Sequence, residues 1–540
     1  MRDTIPAMEI TELTTAERRV WEAFPRGEGV DFREHPDEDA ADGADWGPER
    51  TLRAEVLVAL LLSGSPADGL VCGLTVKGAR ITGAIDWTYA TIEHGIRLQA
   101  CWFERTPVLY GAQLRALVLS DSVLPGLMAA NLRADLVLRL TGCRVTGRLR
   151  LQGARISGGL FLERAVIGTP GTPGTPGTPG TPGTPGDAGT PGDTGTPGDP
   201  GTTDAAGTTD AAPAAEAADG PPLQLNHADI GTDVIAMGLT VHGQTRVNGA
   251  TVRGQIQLDG ARLHAPGGIA LHAETLTVGT DLRAHRLDAR GMVNLTGSRI
   301  PGQVIFTRAR FHAPGETALR ASSCTIGELW LNRCEPVQGA VNLRRSTLDL
   351  LHVEPGTWPD RIRIDGLTYR TLAPHLPPGE RLPALEREES GYLPYAYEQL
   401  AAAYRTTGDE AAARTVQLAK LRRHRRTLPR HTRLWGVLQD ATVGYGFRPL
   451  RAAGWLLALL LTGSLAYGLR PPPPLKAGEA PEFNPVFYTL DLLLPIIGFG
   501  QEQAFAPRGW GQWLSYLLIA TGWVLATTTA AGVSRSLQRQ

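Results

Sequence analysis

The residue types best suited to redox or metal chemistry in this chain are its five cysteines and twelve histidines. Thiolates and imidazoles hold metals when they converge at short regular spacings, and paired thiols cycle with a disulfide. No Cys-x-x-Cys pair occurs. Cys101, Cys143, Cys324 and Cys334 each stand in a small-residue slot that alanine takes in neighbouring stretches, where a thiol packs as a small apolar group. The histidines are scattered, and His264 and His312 fall at matching corners of two related segments, so a turn role is expected for them. No Gly-x-Gly-x-x-Gly follows a strand–helix boundary, and neither a Walker lysine motif nor a Gly-x-Ser-x-Gly elbow is present. No catalytic residue is nominated, and no metal or cofactor is expected.

Two glycine-aromatic stretches suggest a different chemistry, in which backbone carbonyls replace an ion's hydration shell. Thr442-Val-Gly-Tyr-Gly446 spells a potassium filter, but it precedes the first apolar span and has no spanning segment upstream. With Phe447-Arg-Pro449 it reads as the bend where the chain turns into a membrane, proline opening the helix. Asp491, Gly498, Phe499 and Gly500 belong to the apolar stretch 486–500, which is too short to cross a bilayer. That stretch is either a re-entrant pore loop, which would need oligomerisation around it, or an amphipathic loop on the outer interface. The interfacial loop is the expected form, since no threonine precedes Gly-Phe-Gly.

The elements that would position this loop are two apolar spans, at about 450–469 and 511–533, each long enough for a hydrocarbon core about 30 Å thick. A basic collar of Lys420, Arg422, Arg423, Arg425, Arg426, Arg430 and Arg433 precedes them. The intervening loop holds only Arg470, Lys476 and Arg508. Positive charge is retained inside, which predicts a multi-pass cell-membrane protein with both termini cytoplasmic and the collar against anionic headgroups. Gly522, Ala526 and Ala530 form a small-residue face suited to helix packing within the chain or in a homo-oligomer. The residues from Met1 to Ala16 lack a secretory signal's apolar core. With 53 basic and 54 acidic residues, the chain is not expected to bind nucleic acid.

Most of the remaining chain follows one rhythm. Apolar residues recur at steps of two, three, two and four, as in Leu138, Leu140, Cys143, Val145 and then Leu149, Leu151, Ala154, Ile156. Two-residue steps are those of strands, and a repeat of about 11 residues is too short for a helical unit. Such short strands bury one face by coiling, with two repeats per coil of about 22 residues. Ala261-Arg-Leu-His-Ala-Pro-Gly267 is echoed by Ala309-Arg-Phe-His-Ala-Pro-Gly315, and Gly231, Gly279 and Gly327 share that interval. The Gly-Thr-Pro tract has glycine at every third position from Gly168 to Gly201 and starts at a corner. It reads as an extended, disordered surface loop and not as a collagen-like trimer.

The expected organisation is an N-terminal helical cap (1–70), with one helix after the capping box Thr14-Thr-Ala-Glu17 and another over about Pro48 to Leu62. A mainly β, right-handed solenoid follows (71–370), carrying the tract at 168–221. Then come a helical hairpin connector turning at Gly408 (371–448), a first transmembrane helix (449–469), an external loop (470–510) and a second transmembrane helix (511–533). Tyr397-x-x-Leu400-Ala401-x-x-Tyr404-x-x-x-Gly408 is similar to one tetratricopeptide unit, too little for a peptide groove. Arg80 and Arg155 alternate with apolar neighbours and are expected to face solvent.

These parts together resemble a family of actinobacterial membrane proteins with pentapeptide-repeat-like solenoids. The resemblance is carried by 397–451, including Gly444-Tyr-Gly-Phe-Arg-Pro-Leu-Arg451, and by Leu492-Leu-Leu-Pro495, Gly500-Gln-Glu502 and Trp510. The family's Ala-Asn-Leu pentad is clean only at Ala130-Asn-Leu132. Its members are often catalogued as membrane-associated oxidoreductases, and the resemblance implies that activity without supplying a cofactor site. Three functions are therefore expected in order: a membrane-anchored scaffold for an unknown protein partner, an oligomeric two-span pore, and an oxidoreductase. Deleting 170–219 is expected to leave a folded protein. Loss of solubility or of the β signal in circular dichroism would refute the reading of the tract as an enlarged corner.

Overall fold

The computed structural model describes residues 12–63, 72–171, 220–427, 429, 449–476, 481–494 and 498–537, with side chains in the two last long helices described at 454–469 and 510–525. The chain divides into two units, Met1–His375 and Leu376–Gln540.

The first unit is a parallel β-solenoid of about 12 turns. Its coils follow the apolar rhythm directly. Leu138 pairs with Leu160 and Arg133 with Arg155, so one coil is two repeats long, as expected. Inward side chains fill the centre: Leu138, Leu140, Cys143, Val145, Leu149, Leu151, Ala154 and Ile156 are all fully buried. Burying each large aliphatic chain contributes about 1.5–3 kcal/mol, and the stack repeats it coil after coil.

Most repeats turn at a corner with a left-handed third residue, and Pro355–Thr357 is a 3-10 turn instead. In Leu140-Thr141-Gly142-Cys143 the Cys143 N–H donates to the Leu140 carbonyl at 3.1 Å, and Gly142 has φ +71°. The same left-handed position is held by Asp121, Asn131, Gly153, Arg164 and His227, each just before a small or apolar inward residue. A non-glycine residue there is strained, and the coil above holds it in place: the Asn131 N–H donates to the Gln152 carbonyl at 2.8 Å. Gly231 and Gly279 answer a different demand. A Cβ at either would lie 1.9 or 1.8 Å from the carbonyl oxygen of Ser157 or Arg253 in the preceding coil.

The Gly-Thr-Pro tract does not break the ladder. Arg155 pairs with Asp229 and Leu160 with Val234, across residues 172–219, which lie outside the described residues. The Ala-Pro-Gly echoes are bulges that lengthen a coil: Arg246 pairs with His272, a longer step than that from Arg133 to Arg155. His264 and His312 stand in strands Arg262–His272 and Arg310–Arg320 just before these bulges, so they are ladder residues and not turn residues.

The N-terminal segment does more than cap. Helix Thr15–Ala23 has the expected capping box, with both Thr14 and Glu17 bonds formed. The second helix begins later than expected, as Ala54–Ser63, because Thr51–Arg53 pairs in parallel with Arg80–Thr82. Gly29–Asp31 likewise pairs with Thr75–Lys77. These strands build a first coil that the apolar rhythm does not announce. Glu17 ties the helix to it, accepting from Arg53 Nε at 2.8 Å and Nη2 at 2.9 Å. Burial alone would push this carboxyl up; the bonds from Arg53 and Thr14 outweigh it and hold it below the ordinary glutamate value.

In the second unit, helices Pro394–Thr406 and Glu410–Thr427 form the expected hairpin, turning through Gly408 at φ +79° and burying Tyr397, Leu400, Ala401 and Tyr404. A further helix, Pro378–Glu386, occupies the proline-rich stretch before it. The apolar C-terminal segments form helices Pro449–Leu469 and Trp510–Leu537. Among the described residues, no helix is long and apolar enough to cross a membrane.

One inward position departs from the aliphatic rule. Thr245 occupies the column of Leu149, Leu223 and Leu271. It is buried, its hydroxyl has no hydrogen-bond partner among the described residues, and it borders an apolar cavity of about 50 Å³ lined also by Leu223, Ile256 and Leu282. Thr245→Leu removes the unpaired hydroxyl and fills space, so it is expected to stabilise the solenoid by about 1–2 kcal/mol. The check is a higher denaturant midpoint at unchanged slope; a lower midpoint would mean that the space cannot take the larger side chain.

Candidate functional site

Chemistry at the cysteines is set by the corner geometry. Cys101, Cys143 and Cys324 follow the left-handed residue of a corner and point inward, as do Ser122, Ser298 and Ser346 at equivalent corners. Their polar atoms donate to carbonyls of the coil before: Cys143 Sγ to Leu119 at 2.6 Å, Cys324 Sγ to Leu295 at 2.9 Å, Ser298 Oγ to Ala273 at 2.8 Å. Burial pushes the Cys101 and Cys143 thiols up to about 12 and that of Cys334 up to about 11. These thiols are protonated near neutral pH, so they are poor nucleophiles and poor metal ligands. Among the described residues, no group of three or more His, Cys, Asp or Glu is arranged to hold a metal.

One thiol contact is not visible in the sequence. Cys72 Sγ lies 3.1 Å from His94 Nδ1, and the edge of Phe24 packs on that imidazole, with ring centroids 5.4 Å apart. The two residues stand one coil apart, and the coil period is the signal that could have paired them. Cys72 and Phe24 are both buried.

Side chains facing outward from the coils form columns about 4.8 Å per step. One column mixes apolar and aromatic residues with Arg139 and Arg283. Arg139 lies over the Phe161 ring at 3.9 Å, and further along Trp330 stacks on His352 at 4.4 Å. A second column runs from Arg150 through Gln224, Arg246 and His272 to Asn294, and on through Arg320 and Asn342 to Arg363, with Gln224, Asn294 and Asn342 buried between their neighbours. A third is polar and largely exposed, running from Arg133 and Arg155 through Asp229, Thr251, Thr277 and Arg299 to Thr325 and Thr347. Arg155 is solvent-facing as expected. Arg80 is only half-exposed, because its guanidinium lies 5.4 Å from the Trp102 ring and donates to the Trp46 carbonyl at 3.3 Å.

In the second unit the stretch that could line a pore has a defined anchor. Helix Pro485–Leu493 is capped by Asn484, whose side chain accepts from the Val486 and Phe487 N–H groups. Asp491 is buried on this helix, and its carboxylate accepts the N–H groups of Phe499, Gln501 and Glu502, the last two at 2.8 and 3.1 Å. Gly500 has φ +80°, which lets the chain reverse there. The side chain thus faces the loop backbone and ties it to the helix at Phe499, Gln501 and Glu502. Helix Pro485–Leu493 packs between the two long helices through glycines: a Cβ at Gly522 would meet the Leu493 carbonyl at 2.3 Å, and one at Gly463 would meet Thr489 Cγ2 at 2.4 Å.

Of the collar, Arg422, Arg423, Arg425 and Arg426 lie on the last turns of helix Glu410–Thr427. Arg430 and Arg433 fall outside the described residues, as do Thr442-Val-Gly-Tyr-Gly446 and residues 495–497.

No protein family, curated protein or solved structure matches the chain. The class of protein is defined by its fold: a parallel β-solenoid with a separate helical unit.

The Asp491 anchor generates a direct expectation. Asp491→Asn loses the charge from three hydrogen bonds, each worth about 1–2 kcal/mol. Limited proteolysis should then cut within 498–506 at least several-fold faster, while the solenoid fragments stay resistant. Unchanged cleavage would show that the loop is held by other contacts.

Proposed function

We propose that the chain is a membrane-anchored scaffold whose solenoid binds protein partners along its outward columns. The observation that carries this reading is the uninterrupted parallel ladder of about 12 turns, which turns residues distant in sequence into long, regular faces. Half-exposed Phe161, Ile235, Ile305 and Trp330 give one of these faces the mixed aromatic and cationic character common at protein interfaces.

Anchoring is supported by the helices that end the chain. Leu457, Leu461, Leu465 and Leu469 form an exposed stripe at four-residue intervals, and Trp513 and Leu517 are exposed on the other helix. A continuous apolar stripe of this kind marks contact with lipid or with another apolar surface. The orientation that follows from the collar, with both termini and the solenoid cytoplasmic, belongs to the same proposal.

A second reading, an oligomeric pore, is favoured by one observation: a short helix and a glycine-rich loop lie packed between two long helices, the order found in two-span pores. In that reading Asp491 braces the loop from behind. Among the described residues, no geometry favours the oxidoreductase that the resemblance implies.

Membrane extraction tests the anchor. The full chain is expected to stay in the pellet at alkaline carbonate and to be released by detergent; release by carbonate alone would reject the membrane reading. Purified chain reconstituted in planar bilayers distinguishes the pore, since conductance altered by Gly498→Ala would favour it over the scaffold.

A further inference from the structure

We infer that the cavity beside Thr245 in the solenoid core is a binding site for a small neutral molecule with a short apolar body and one oxygen, of the class of short-chain ketones and alcohols. The space arises because three inward columns narrow in the same coil. Thr245 stands between Leu223 and Leu271, Val234 between Leu160 and Ile256, and Val252 follows Ile230. Each puts a smaller side chain where the coil before has a larger one. The ladder holds the neighbouring coils at fixed spacing, so they do not collapse into the difference. Val234, Ile256 and Leu258 line the cavity and are each 7 % exposed, whereas Leu138, Leu149 and Leu160 are at 0 %.

The volume of about 50 Å³ matches about four water-sized spheres, which admits a guest of about four non-hydrogen atoms. Water itself fits the chemistry poorly. A buried water needs about two to four polar partners. The lining side chains are leucine, isoleucine, valine and alanine, and the Thr245 hydroxyl is the one polar group among them. That hydroxyl is buried and has no hydrogen-bond partner among the described residues. Left unmatched, it costs stability. A guest that sets one oxygen against the hydroxyl and its alkyl body against the leucines satisfies both demands. A charged guest is excluded by the same lining, which offers nothing to match a charge taken out of water. Entry takes a local opening of the coils, which is easiest where packing contacts are missing.

The test is methyl NMR on the full chain in detergent, with isoleucine, leucine and valine methyls labelled and two probes, xenon and acetone. Xenon reports the space alone, and acetone adds an acceptor for the hydroxyl. Both are expected to give saturable shifts at Leu223, Val234 and Ile256 and none at Leu138 or Leu149. Thr245→Val keeps the shape and removes the hydroxyl. It is expected to weaken acetone about fivefold and xenon less than about twofold. Thr245→Leu and Val234→Leu fill the space from opposite columns, and each is expected to weaken both probes about tenfold or more. Circular dichroism shows which filling variant folds, and Thr245→Val tests the site whether or not they do. No saturable shift, shifts spread evenly over the inward methyls, undiminished binding in a folded filling variant, or equal acetone affinity in the wild type and Thr245→Val would each overturn the proposal.

Discussion

A parallel ladder closes only if each coil offers its N–H and C=O groups in step with the coils on either side, and the rest of this solenoid follows from that. Strands of two residues cannot keep step by their own length. The corners do it. In most repeats the chain enters the left-handed region once, closes a tight turn, and returns its next inward residue to the centre. Aspartate, asparagine, arginine and histidine tolerate the strain because their amides donate to the next coil. The inward serines and cysteines then find carbonyls of the previous coil, so the few polar groups in the core are largely paired. Thr245 is an exception, and it lies beside a cavity.

The same constraint determines where chemistry can occur. Inward positions are filled by packing, which turns thiols into protonated, buried groups. Outward positions repeat about every 4.8 Å, so functional groups assemble as columns whose members are a coil or more apart in sequence. Arg246 and Arg320 meet in one column through His272 and Asn294, and nothing in their local sequence distinguishes them from the paired Arg253 or Arg310. The helical unit follows another logic. There a buried carboxylate, Asp491, gathers three backbone amides, and glycines at 463 and 522 let the short helix sit against its neighbours.

Much of the fold was legible in the sequence because strand periodicity is local. The steps of two, three, two and four named the buried residues of the coils, and the capping box at Thr14 and the turn at Gly408 named helix ends. The first coil was not legible: Gly29–Asp31 and Thr51–Arg53 are too short to show a period, and they become strands only because the next coil presents an edge to pair with. Asp491 was singled out as a lone charge in an apolar stretch, but its partners are backbone amides that no residue type reveals. Cys72 and His94 were invisible as a pair for a similar reason, since their contact depends on coil register.

The sequence by itself determined which side chains point inward, because burial in a strand depends on the two-residue alternation of the chain and on little else. It also determined that the Gly-Thr-Pro tract interrupts a corner, since the rhythm resumes after it. The tertiary structure alone decided which outward side chains stand together. Coils of unequal length, and the step across 172–219, shift the register by amounts that no local pattern measures. Only hydrogen bonding between coils converts those lengths into columns, and it is there that Arg246 and Arg320 come into line.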